Sequence, residues 1–198
     1  MSEEELQKLF NRFGDVKALV VGDVMIDAYL WGKVERISPE APVPVISVTK
    51  RENRLGGAAN VALNVASMGA TPIICAMVGA DEKGEILRDL LDKRGMTKSG
   101  IVSSNERPTT VKSRIISGHQ HIVRVDEEST RPLSSEEEEA FLKNLEKVIE
   151  NQKPAVAIFE DYNKGLLTEK VIEAAIALCK KHGIATAVDP KKVNFFSY

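Results

Sequence analysis

The stretch Arg54-Leu55-Gly56-Gly57-Ala58-Ala59-Asn60-Val61 decides how this chain is read. It runs straight into Ala62-Leu63-Asn64-Val65-Ala66-Ser67-Met68-Gly69, a small-residue segment with helical character and a glycine stop. Paired glycines let the backbone approach a ligand closely, because no Cβ intervenes. A helix starting behind them offers free N–H donors and the positive end of its dipole. Asn60 adds a side chain that both donates and accepts. Such a turn suits a polyhydroxylated or phosphorylated small molecule. It equally suits tight packing of a helix on a sheet.

Working outward, the chain alternates strands and helices. Residues 16–21 form a nearly continuous apolar run closed by Gly22-Asp23, as expected of a strand buried on both faces of a parallel sheet. Behind the glycine turn the spacing predicts a helix to about Met68 and a strand over 72–78. A helix over 83–94 follows, with Ile86, Leu87, Leu90 and Leu91 inward and Gly95 as its stop. A short strand is predicted at 101–103. Ser134-Ser135-Glu136-Glu137-Glu138 opens a helix whose core face is Phe141, Leu145, Val148 and Ile149. A strand over 155–159, a helix over 168–181 and a strand over 185–188 complete the rhythm. Upstream, the capping box Ser2-Glu3-Glu4-Glu5 precedes an amphipathic stripe of Leu6, Leu9, Phe10 and Phe13.

This pattern predicts an α/β fold with a doubly wound parallel sheet and helices on both faces. Two segments break it. Residues 29–49 mix polar and β-branched types and carry Pro39, Pro42 and Pro44, which fit edge strands or a lid. Residues 109–126 alternate and turn at Gly118-His119, a hairpin. Together they predict a small antiparallel sheet covering the site, within a single domain over 1–198.

Composition narrows the function. With 198 residues, 43% of them hydrophobic, the chain is long enough for a sizeable core. A net charge of −2 provides no field for nucleic acid or an anionic membrane. Cys75 and Cys179 sit in apolar segments and read as reduced core residues. The acidic N-terminus lacks the pattern of a signal peptide, and no apolar run reaches membrane-spanning length, so the expected compartment is the cytoplasm. No Gly-x-Gly-x-x-Gly follows the first strand, and neither a P-loop nor a Gly-x-Ser-x-Gly elbow is present.

In open α/β sheets, ligands bind beyond the carboxyl ends of the strands. Three strand ends present an Asp there: Asp23, with Asp27 close behind; Asp161, in Glu160-Asp161-Tyr162-Asn163-Lys164-Gly165; and Asp189, ahead of Pro190-Lys191. Carboxylates accept charge-assisted hydrogen bonds from sugar hydroxyls. Asp is also common in turns and caps. Lys112, Arg114 and Arg124 form a basic cluster in the hairpin, and Lys112 and Arg114 share a face. Turned toward the site they suit a substrate phosphate; turned away they are a solvated surface. His119 and His121 read as exposed turn residues rather than a metal pair. Tyr29 and Trp31 suit stacking on a ligand, on a partner chain or within a core.

These residues resemble the ribokinase-like carbohydrate kinases. Gly56-Gly57-Ala58-Ala59-Asn60-Val61-Ala62 with Gly69 and Gly79 is similar to that family's N-terminal signature. Further matching stretches are Val21-Gly22-Asp23-Val24-Met25-Ile26-Asp27, Asp161-Tyr162-Asn163-Lys164-Gly165 and Asp189-Pro190-Lys191. Arg36-Ile37-Ser38-Pro39-Glu40-Ala41-Pro42-Val43-Pro44 resembles the branch that phosphorylates D-glycero-β-D-manno-heptose 7-phosphate. The resemblance implies a ribokinase-like αβα doubly wound sheet with a β-lid that often clasps a second subunit, hence a homodimer. It implies ATP-dependent phosphorylation of the anomeric hydroxyl, feeding ADP-heptose and lipopolysaccharide core synthesis. By position, Asp23 and Asp27 are expected on sugar hydroxyls, and Gly56, Gly57 and Asn60 along the sugar site. Lys112, Arg114 and Arg124 are expected on the 7-phosphate, and Asp161 and Lys164 at the site's inner edge. Two family segments, an Asn-x-x-Glu and a Gly-Ala-Gly-Asp turn carrying the general base, are absent from the 198 residues. The resemblance thus implies a truncated domain, with ATP and Mg²⁺ held mainly by later sequence and with little or no activity in this polypeptide alone. Other readings are a non-catalytic sugar-phosphate-binding or association module, and a kinase of another sugar.

Overall fold

The computed structural model describes residues 2–198. Helix α1 (Glu3–Phe13) leads into strand β1 (Lys17–Gly22), followed by two long strands, β2 (Val24–Ile37) and β3 (Pro44–Gly57). Helix α2 (Ala58–Ser67), β4 (Thr71–Gly79), α3 (Glu82–Asp92) and β5 (Ile101–Ser104) come next. The hairpin is β6 (Val111–Ser117) and β7 (Gln120–Glu127). Then come α4 (Ser135–Gln152), β8 (Val156–Glu160), α5 (Glu169–Lys181), β9 (Ala185–Asp189) and a 3₁₀ helix, Lys192–Ser197.

Five strands form one parallel sheet in the order β5-β4-β1-β8-β9. The chain winds from β1 outward through β4 to β5, then returns to β8 and β9. The order therefore reverses at β1, and Asp23 stands at that switch point. The apolar run of β1 reflects two cores. Leu19 and Val21 pack with Phe141, Leu145, Phe159 and Ile172 under α4 and α5. Val20 packs with Ile74, Leu87, Leu91 and Ala62 under α2 and α3. Burial pushes the Cys75 thiol up to about 12, and Cys179 is also a buried free thiol.

Two elements leave apolar side chains uncovered. The α1 capping box forms, but Leu6, Leu9 and Phe10 stay exposed, because nothing in the described chain covers that stripe. On the far side of the sheet, β9 is exposed along its length, and Phe196 beyond it is 95% exposed.

The second sheet has the order β3-β2-β6-β7. Its β2–β3 and β6–β7 pairings are antiparallel, whereas β2 and β6 run parallel. It extends beyond the segment read from the sequence, beginning at Val24 and running to Gly57. Pro39 and Pro42 fall in the β2–β3 connection and Pro44 is the first residue of β3, positions that need no ladder donor. The glycine pair is thus the end of a strand rather than a free turn, paired with Val24 and Met25. Gly57, at φ +59° and ψ −137°, turns the chain directly into α2.

Candidate functional site

The second sheet has two chemically different faces, because side chains alternate along each strand. Cross-strand register places Asp27 between Arg54 and Lys112, and Tyr29 between Glu52 and Arg114. Asp126 and Arg124 extend these two rows on β7. The opposite face carries Ile26, Ala28, Leu30, Val111 and Ile115, beside a cleft of about 390 Å³. Lys112 and Arg114 thus share the face that carries Asp27; Arg114 pairs with Asp27, whereas Lys112 pairs with Asp126 and Glu128.

Arg114 donates through Nη1 to Asp27 Oδ1 at 2.5 Å, and its guanidinium lies over the Tyr29 ring. Lys112 donates to Asp126 Oδ2 and Glu128 Oε2, both at 3.0 Å. Glu128 Oε1 accepts from Lys164 Nζ at 2.7 Å. Lys164 belongs to the loop after β8, so the charged face looks onto the carboxyl end of the parallel sheet. The glycine pair closes the same corner. A Cβ on Gly56 would lie 2.6 Å from Asp27 Oδ2, and one on Gly57 would run into the Asp23 carbonyl oxygen.

Asp23 and Asp161 have mainly architectural partners. Asp23 Oδ2 accepts from the Tyr162 and Lys164 amides at 3.1 and 3.0 Å, and Oδ1 accepts from the Leu166 amide at 3.4 Å. The carboxylate expected on sugar hydroxyls is thus buried and committed to main-chain donors. Burial pushes its carboxyl above the ordinary range while these amides pull it back. Asp161 accepts from the Asn163 amide at 2.7 Å and from Asn194 Nδ2 at 2.7 Å. Both therefore shape the 161–166 loop that presents Lys164. That loop turns through Asn163 at φ +54° and Gly165 at φ +89°.

Arg124 sits at the rim of this cluster, and Asn60 lies apart from it. Arg124 is 60% exposed on β7 and pairs with Asp126 at 2.9 Å. Asn60, in the first turn of α2, is exposed and lines a pocket of about 180 Å³ with Glu52, Arg54 and Arg94, beside the edge strand β3.

Three residues had no signal of their own in the sequence. Glu128 follows β7 and bridges the two sheets. Arg107 is buried behind the 161–166 loop and donates to the carbonyls of Lys164 and Arg131 at 2.6 and 3.1 Å. Glu160 is buried at the carboxyl end of β8; burial, then the charge of Asp189, pushes its carboxyl up. Only its strand-end position could have marked it.

Among the described residues, no three His, Cys, Asp or Glu side chains converge to hold a metal ion. His119 and His121 are exposed at the β6–β7 turn. No helix among the described residues is long and apolar enough to cross a membrane.

The pfkB family carbohydrate kinase model matches residues 16–196. The chain is 42% identical over 198 residues to the bifunctional protein HldE of Geotalea uraniireducens (strain Rf4), covering all of this chain and 40% of that protein. It is 43% identical over 180 residues to bifunctional protein HldE of Wolinella succinogenes, covering 91% of this chain and 38% of that protein. The chain thus spans about two fifths of the length of these relatives. Among solved structures it resembles the tetrameric inhibited form of phosphofructokinase-2 from Escherichia coli (TM-score 0.64, 16% identity, 89% of this chain and 55% of that one). It also resembles Arabidopsis thaliana ribokinase complexed with ribose and ATP (TM-score 0.59, 17% identity, 88% and 53%). Identities this low speak for the fold alone, and that fold is the ribokinase-like αβα sheet described above. The match over residues 16–196 establishes that the chain belongs to the pfkB family of carbohydrate kinases.

Proposed function

We propose that this chain carries the acceptor-binding part of a sugar-phosphate kinase, whose substrate is D-glycero-β-D-manno-heptose 7-phosphate and whose product feeds ADP-heptose and lipopolysaccharide core synthesis in the cytoplasm. The observation that carries this reading is the convergence of Asp27 with Lys112, Arg114 and Lys164 above the glycine pair. A carboxylate suits sugar hydroxyls, and neighbouring cations suit a phosphate on the same molecule. The heptose assignment rests on the Arg36–Pro44 resemblance.

In this reading Asp27 accepts from sugar hydroxyls, and Gly56 keeps the space beside it clear. Lys112, Arg114 and Lys164 receive the phosphate. Asp23 and Asp161 hold the 161–166 loop in position. Gly57 sets the entry into α2, while Asn60 and Arg124 have peripheral roles. Phosphoryl transfer to a hydroxyl also needs a base within reach and donors for the developing charge. ATP and Mg²⁺ supply the phosphoryl group and its charge neutralisation; no residue of this chain is assigned to hold them or to act as base. Assembly fits the same picture. The apolar face with Leu30, Pro44, Ile46, Val48, Ile115 and Val123, beside a groove of about 500 Å³, is where a second copy would clasp.

The test is calorimetry of this polypeptide with heptose 7-phosphate and, separately, with Mg-ATP. Sugar-phosphate binding without ATP binding is the expected result. Binding of the dephosphorylated heptose with equal affinity would remove the phosphate from the reading. Binding of neither sugar would remove the acceptor site.

A further inference from the structure

Glu128 takes no part in the binding roles above, yet it sits among their cations. Its two carboxylate oxygens are shared between two lysines from different elements, Lys112 of β6 at 3.0 Å and Lys164 of the loop after β8 at 2.7 Å. All three side chains are largely withdrawn from solvent, at 15% exposure for Lys112, 17% for Lys164 and 22% for Glu128. Burial pushes Glu128 up, but hydrogen bonds from Lys164 and Lys112 outweigh it and hold the carboxyl below the ordinary range.

We propose that Lys112 and Lys164 form an anion subsite which Glu128 occupies from within, and that the phosphate of the acceptor displaces Glu128 from it. This rests on the sugar-phosphate reading of the same site and names the group that holds the phosphate position in its absence. Two ammonium groups converge from separate elements on one oxygen-bearing anion, an arrangement that a phosphate oxygen pair reproduces. Charge favours the exchange. The connected network holds three cations, Lys112, Lys164 and Arg124, against two carboxylates, Asp126 and Glu128. Asp126 stays on Lys112 and Arg124 when Glu128 leaves, so a phosphate dianion enters a positive site. The phosphate then joins Lys112 of the second sheet to Lys164 of the 161–166 loop in place of Glu128.

The experiment compares the wild-type chain with Glu128→Gln, using inorganic phosphate and heptose 7-phosphate as separate calorimetric probes. Glutamine keeps the shape and removes the competing charge. The expected result is about tenfold tighter binding of both probes. Lys164→Gln, which leaves Glu128 intact, should lower both affinities by about tenfold and guards against a folding defect in the first variant. Unchanged or weaker phosphate binding in Glu128→Gln overturns the proposal and makes Glu128 a structural tether. The two readings fail separately. Tighter inorganic phosphate without any heptose 7-phosphate binding removes the sugar assignment and keeps the subsite. Heptose 7-phosphate binding indifferent to Glu128→Gln removes the subsite and keeps the sugar assignment.

Discussion

The two sheets of this molecule use the same backbone ladder for opposite ends. In the parallel sheet, β1 is apolar on both faces and lies between two helical layers. In the second sheet, one face is charged and the other apolar, and much of β3 and β7 is exposed. The first sheet gains its stability from burial; the second holds its geometry through cross-strand ion pairs such as Arg114–Asp27 and through stacking along β2, Tyr29 on Trp31 at 5.2 Å. Rigidity and chemistry are thus assigned to different sheets, and they meet at Asp23, Gly57 and the 161–166 loop.

Core truncation separates the sheets most sharply. Leu19→Ala in β1 should lower stability by about 3 kcal/mol in urea unfolding, whereas Val123→Ala in β7 should stay within about 0.5 kcal/mol. Equal losses would mean that the second sheet is buried in solution, as a clasped second copy would make it.

The next contrast pairs two glycines at the same φ of +59°. At Gly57 a Cβ meets the Asp23 carbonyl oxygen, while at Gly118 in the hairpin it meets open space. Gly57→Ala should cost about 3 kcal/mol and abolish sugar-phosphate binding, whereas Gly118→Ala should cost about 1 kcal/mol and leave binding intact. Melting and calorimetry on the two variants decide this, and a binding loss at Gly118 would contradict it.

A smaller effect on stability, with a large one on binding, is expected at the charged face. Arg114→Leu leaves Asp27 without its ion-pair partner and should weaken heptose 7-phosphate by at least about tenfold, with a stability loss of about 1 kcal/mol. Lys50→Ala, at the exposed far end of the same face, should change neither by a measurable amount.

Acid sharpens the comparison last. Hydrogen bonds, from Lys112 to Asp126 and from Arg54 to Glu52, lower these carboxyls, with Glu52 at about 2; Glu128 is lowered as well. Lowered groups contribute stability that is complete above their unfolded values and is lost as pH falls through the folded ones. Burial raises Asp23 and Glu160, whose contribution is present below their unfolded values and is lost as pH rises. Between about pH 5 and about pH 2, hydrogen-exchange protection of β6 and β7 should therefore fall before that of β1. Simultaneous loss would show that the two sheets unfold as one unit.

The sequence made the parallel sheet legible because burial on both faces writes itself locally, as the apolar run of β1 does. The caps at Ser2 and Ser134 were similarly local, and each accepts an amide within its own first turn. The extent of β2 and β3 was not legible. Their strands mix exposed and half-buried positions, and the prolines between them drew attention to the connection. The role of Asp23 was hidden for a different reason. Its partners are amides of Tyr162, Lys164 and Leu166, and no local spacing in the sequence encodes a carboxylate capping so distant a loop. Glu128 and Arg107 escaped notice likewise, since their partners lie on other elements.

The Asp23–Tyr162 hydrogen bond joins residues 139 positions apart. On a ribosome, β1 emerges well before its neighbour β8. Until β8 follows, the apolar strand β1 of the nascent chain therefore has an unpaired edge, open to chaperones or to other chains. The Asp23 carboxylate cannot gather its loop amides until β8 has passed the exit tunnel. The corner that prepares the acceptor site is then among the last parts of this region to form, and slow, long-range folding is built into the order of its strands.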